Sequence, residues 1–182
     1  MAKNAGNINV GDADVYINGE VIGYLMGGSK WKVDRNFVDL TVDEFGSTAL
    51  DMALTGHDLT LELNIAEITT PNIAKAIPEG RYDPGSGGDS KLGIGRTSGF
   101  LLSTTALPLQ IHPRRYGAIN IGAGTGNMEN DLFIWKAVSV DAVELNYEFD
   151  KQRVFKVTYR ALVDTTRIDG YLLGRIGNDT IS

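Results

Sequence analysis

"FGSTALDMALTGHDLTLELNIAEITTPNI", from Phe45 to Ile73, decides the fold class. Leu50, Met52 and Leu54 occupy even positions, whereas Leu59, Leu61, Leu63 and Ile65 occupy odd ones. A period of two marks a β-strand with one face buried and one in water. The phase changes at Thr55-Gly56, where one extra residue in a bulge returns both apolar sets to the same side. The stretch thus predicts one bent strand, far longer than the usual length of about 5–6 residues. It stops at Thr69-Thr70-Pro71, with Thr70 placed to cap a helix and Pro71 suited to its first position. "PNIAKAI" then supplies about two helical turns, with Ile73, Ala76 and Ile77 on one side, before Pro78 and Gly80 end them.

Outward from this strand the chain remains β-rich. "ADVYING" and "EVIGYLMGG" are short β runs around Asn18-Gly19, a hairpin-turn dipeptide. Ser29 to Val42 is a long β segment carrying Trp31, Val33, Val38, Leu40 and Val42, and "DEFGS" turns it into the long strand. "TALPLQIH" and "LFIWKAVSV" read as strands, and "GYLLGRIGNDTIS" adds a short one. A hairpin is expected from Val143, Leu145, Tyr147 and Phe149 against Phe155, Val157, Tyr159, Ala161 and Val163, looped at Lys151-Gln152-Arg153. Setting Phe149 opposite Phe155 also sets Glu148 opposite Lys156 and Glu144 opposite Arg160. Residues 1–12 form a polar arm, and 79–99 and 117–126 are Gly-rich loops. The expected fold is mainly β: a sandwich or partly closed barrel with one short α-helix, in a single domain over 1–182.

Composition narrows the functional classes. Hydrophobic content of 42% and charged content of 22% in 182 residues suit a globular chain with one core. No apolar run approaches the roughly 20 residues of a membrane span, and the first residues lack the apolar segment of a signal peptide. With no cysteine, this pattern leads us to expect a chain kept in a cytoplasm without membrane anchoring. Net charge is −6, and eight acids lie between Asp34 and Glu67 against one base, Arg35. Such an acidic segment argues against tight nucleic-acid binding.

A search for chemistry yields no catalytic residue, metal site or cofactor. His57 and His112 stand alone in sequence, without a second ligand at metal spacing. "GSGGDSKLG" lacks the Gly-Lys-Ser/Thr ending and following helix of a phosphate loop, and Asp43-Glu44 has no histidine or cleft to work with. A small-molecule-binding β-barrel would need a pocket with convergent polar groups, and none can be named. What remains is long strand edges, which a soluble monomer has to protect.

"VDEFGSTALDMALTGHDLTLELNIAEITTPNIAKAI" resembles the signature region of bacteriophage tail tube proteins. The matching features are Phe45-Gly46, Asp51, Thr55-Gly56, Ala66-Glu67 and Asn72-Ile73, in that order. "DLFIWKAVSVDAVELNYEFDKQRVFKVTYRALVD" is similar to the family's closing strands, and "VYINGEVIGYLMGGSKWKVDR" extends the likeness towards the start. Residues 79–130 depart from it. The resemblance implies a β-sandwich-like subunit whose long hairpins join a barrel shared around a six-membered ring. Rings stack into the tail tube of a virion, assembled in the host bacterial cytoplasm, through which DNA passes without specific binding. A tape-measure protein is an implied partner and a sheath an optional one. The inner tubes of phage-tail-like bacteriocins and type VI secretion systems are the alternative kin.

On that reading, Asp39 and Thr41 on one arm and Asp58, Thr60, Glu62 and Asn64 on the other point away from the core. They are expected to line a negative lumen that repels phosphate. Asp43, Glu44 and Phe45, at the hairpin tip, are expected to touch the next ring. The N-terminal arm and loop 79–99 are expected to become ordered only between subunits.

Overall fold

A computed structural model describes residues 11, 13–86, 88–114, 128, 130–145, 147, 149–150 and 152–178. The N-terminal arm apart from Gly11, and the Gly-rich stretch 117–126, lie outside the described residues. The protein is mainly β. Its strands are β1 (Ala13–Ile17), β2 (Glu20–Val21), β3 (Leu25–Thr41), β4 (Ala49–Ile65), β5 (Arg81–Asp83), β6 (Lys91–Gly93), β7 (Leu107–Pro113), β8 (Leu132–Ser139), β9 (Phe155–Ala161) and β10 (Gly174–Ile176). One helix, α1 (Thr70–Ala76), follows β4.

Eight strands form one sheet in the order β2-β1-β7-β8-β9-β4-β3, with β10 added to β8. β8 turns the corner. One edge carries β7, and the other is split between β10 at Leu132–Ile134 and β9 at Ala137–Ser139. A single core draws Val15, Ile17, Leu109 and Ile134 from one half of this order and Leu61, Leu63, Phe155 and Val157 from the other. The sheet therefore wraps around that core as a sandwich does. Its terminal strands, β2 and β3, remain apart in the strand order, so no closed barrel forms among the described residues.

Local chemistry explains the elements. Asn18 and Gly19 both have positive φ (52° and 81°), as a two-residue hairpin turn matching strand twist requires, and they join β1 to β2. β4 runs unbroken for 17 residues, with Leu59, Leu61, Leu63 and Ile65 buried. The expected bulge lies where the phase changes: Asn36 faces Gly56 and Phe37 faces Leu54, which leaves Thr55 as the extra residue. Because β3 is regular there, Leu54 and Met52 emerge on the same side as Leu59. The cap of α1 is Thr69 rather than Thr70, its hydroxyl accepting from the Asn72 amide at 3.4 Å. Asn72 is buried and donates through Nδ2 to the Glu67 carbonyl at 2.9 Å, fixing the entry to the helix. At Gly174 an added Cβ would meet the Phe133 carbonyl at 2.1 Å, so only glycine lets β10 approach β8.

Two expectations need correction. Among the described residues the partners of β9 are not in 143–150 but are β4 along Thr60–Ile65 and the end of β8, with Ala137 opposite Ala161. Lys156 meets Glu62 at 3.0 Å and Arg160 meets Asp58 at 2.8 Å, so β4 supplies the acids expected from Glu148 and Glu144. Glu148 and Lys151 lie outside the described residues. The 79–99 stretch is also less loop-like than its glycines suggest, because β5 and β6 pair within it. Arg96 braces it, donating to the Glu79 carbonyl at 2.7 Å and covering the Phe100 ring at 4.9 Å.

The body and the projecting hairpin should respond differently to truncation. Leu61→Ala removes a fully buried side chain and should cost about 2–5 kcal/mol in urea unfolding of the isolated subunit. Leu50→Ala, at a side chain 63% exposed on the hairpin, should change it by no more than about 0.5 kcal/mol.

Candidate assembly surface

The β3–β4 hairpin outgrows the body that supports it. β9 covers β4 only from Thr60 to Ile65, so among the described residues the segment 49–59 has no strand on that edge, and β3 has none on its outer edge along its length. Beyond the bulge the hairpin is a two-stranded blade. One side carries Phe37, Leu54 and Met52, and the other carries Val38, Leu40 and Ala53. Phe37, Val38 and Leu40 are each 48% exposed. A two-stranded blade with apolar residues on both faces lacks the third strand or packed element that would stabilise it in water.

The register divides the six expected lumen residues. β3 alternates without interruption from Ser29 to Thr41, so Asp39, opposite Met52, and Thr41 share the side of Trp31 and Val33. Asp58, Thr60, Glu62 and Asn64 lie on the opposite side, with Lys30 and Lys32. The extra residue sits on β4 alone, so the phase change in β3 is not absorbed, and its apolar residues cross from one face to the other. The six therefore do not share one face. Asp43, Glu44 and Phe45 form a 3-10 turn at the tip with no buried residue, and Phe45 is 58% exposed.

Nor is the outer face acidic. Glu62 lies between Lys30 (3.8 Å) and Lys156 (3.0 Å), Asp58 accepts from Arg160 Nε at 2.8 Å, and Lys32 pairs with Asp34. The contact with Lys156, reinforced by Lys30, holds the Glu62 carboxyl below its ordinary value. Asp58 and Glu62 lie four residues apart on β4, whereas their cations arrive from neighbouring strands.

Elsewhere His112 is not alone, as its sequence position suggested. It is buried on β7 with Nδ1 2.6 Å from Oδ1 of buried Asp131, and Gln110 donates to Oδ2 of the same carboxylate. Asp131 is 19 residues away in sequence, and only the β7–β8 pairing brings it close. Its amide donates to the Met128 carbonyl (3.1 Å) and its carbonyl accepts from the Gly177 amide (2.8 Å), so the cluster ties the start of β8 to the C-terminal segment. His57 lines an open hollow of about 220 Å³ with Val33, Leu59 and Asp169. A broader groove of about 680 Å³ lies between the end of α1, the loop after β6 and the end of β8. Among the described residues no three His, Asp or Glu side chains gather to hold a metal, and no helix is long and apolar enough to cross a membrane.

Compared with known proteins, the sequence matches no family model and no curated protein.

The Glu62 contacts imply a pH dependence with a definite sign. A carboxyl whose value is lowered by folding contributes stability that is complete above its unfolded value of 4.5 and lost as pH falls through the depressed folded value. Asp164, lowered by its hydrogen bond to Lys136 and then by Thr166, acts in the same direction. Urea midpoints measured from pH 3 to pH 6 should rise with pH, and Glu62→Gln should flatten part of that rise.

Proposed function

We propose that the protein is a structural subunit that assembles through its β3–β4 hairpin into closed rings, which stack into a hollow conduit of the bacteriophage tail-tube type. The single observation that carries this reading is the blade in which the 17-residue strands end, apolar on both faces and, among the described residues, without a strand on either outer edge. Laying one subunit's β3 edge against the next subunit's β4 edge would satisfy the free backbone groups of both. Such contacts are head-to-tail, and they leave no edge exposed only when the ring closes. The sequence resemblance supplies the six-fold count, the stacking of rings and the passage of DNA. It also supplies the tape-measure protein and an optional sheath as partners, and the virion as the setting. On this reading the side chains are architectural and no catalytic step is involved.

Size exclusion and negative-stain imaging of concentrated protein test the reading. Rings or tubes with a six-fold axis are expected, and a monomer at every concentration and salt would contradict it. Phe37→Asp should abolish rings while leaving the thermal midpoint of the subunit within a few degrees, because the side chain is half exposed and is not one of the buried core residues. Phe45→Ala should leave rings intact and weaken their stacking.

A further inference from the structure

The outer face of β3–β4–β9 carries the groups of a polyanion-binding surface together with the groups that silence them. Lys30 and Lys32 lie on β3, and Lys156 and Arg160 on β9, on the two strands flanking β4. Between them β4 presents Asp58 and Glu62, and Asp34 adds a third carboxylate from β3. Four cations thus face three acids, and each cation has a carboxylate within 4 Å. Asp141 and Glu144 stand at the rim of the same face, beside Lys156. The partners lie well inside the screening length of about 8–10 Å, so opposite charges cancel before their field reaches a passing polymer.

We propose that Asp58 and Glu62 act as neutralising residues, holding Lys30, Lys156 and Arg160 so that this face neither retains nor strongly repels nucleic acid. The biological sense of such a surface rests on the conduit reading, in which a wall has to let DNA slide past. The neutralisation itself is a property of one subunit. It differs from the negative wall expected from sequence, because repulsion by excess acid is replaced by internal pairing. Without the two carboxylates Lys30, Lys156 and Arg160, on two strands of one face, would lose the partners that hold them. Each phosphate contact that they made would release counterions from DNA, giving salt-dependent binding of the ordinary kind.

The test is binding of a fluorescent 20-base-pair duplex to the purified subunit, read by anisotropy at 50 and 200 mM salt. Wild type is compared with D58N/E62Q and with D39N/D43N, which makes the same change in net charge away from this face. D58N/E62Q should bind at least tenfold more tightly than either other protein at 50 mM salt. It should lose about 40-fold of its affinity by 200 mM, as three phosphate contacts require. Adding K156Q and R160Q to that variant should remove the gain. Equal binding by D58N/E62Q and D39N/D43N would overturn the proposal, as would wild type binding as tightly as D58N/E62Q. Should D58N/E62Q fail to fold by circular dichroism, E62Q alone, which frees Lys30 and Lys156, is read by the same criteria with two contacts. A gain in binding by a protein that never forms rings would remove the conduit reading and leave this proposal standing.

Discussion

The pairing of β3 with β4 governs the rest of the structure, because one strand has to serve two environments. In its second half β4 contributes Leu59, Leu61, Leu63 and Ile65 to the core and is held on both edges, by β3 and β9. In its first half it leaves the body with β3 as its only strand neighbour among the described residues. The bulge at Thr55-Gly56 keeps the apolar residues of β4 on one side across this change. β3 has no matching correction, so its own apolar residues move to the other side and the blade becomes apolar on both faces. A sheet segment of this kind gains little within one chain and gains much when neighbours cover it.

Electrostatics follow the same pairing. The acids of β4 look like an excess when counted along the chain, yet the sheet brings Lys156 and Arg160 from about 100 positions away, and Lys30 from across the hairpin. These exposed pairs contribute modestly to stability. Their larger effect is on what the surface attracts. The buried His112–Asp131–Gln110 cluster obeys the same logic inside the fold, where a carboxylate out of water requires donors and receives them from an adjacent strand.

Much of the fold was legible in the sequence because alternation reports the two faces of a strand directly. The span of β4, its bulge, the Asn18-Gly19 turn and α1 all rest on local chemistry that a short window contains. Partners are not local. The alternation in 155–163 was real, but its register with 143–150 rested on a short loop at Lys151-Gln152-Arg153 and the charge pairs that followed from it, and β4 offered Lys156 and Arg160 equivalent acids on a better-buried strand. The division of Asp39 from Asp58 was hidden for a related reason: the pattern shows that a phase changes, and only the register shows which strand holds the extra residue. The candidate site was therefore legible as a hairpin and not as an arrangement of charges.

Hydrogen exchange of the backbone amides on the outer edge of β3, residues 36–41, shows whether neighbouring subunits cover the hairpin. Among the described residues no strand lies beside these amides. Those pointing outward should exchange rapidly in the isolated subunit and become protected by orders of magnitude in the assembled material, together with the edge of β4 at 49–59. Equal exchange of both edges in the two states would contradict assembly through β3–β4, because assembly would then leave the hairpin uncovered.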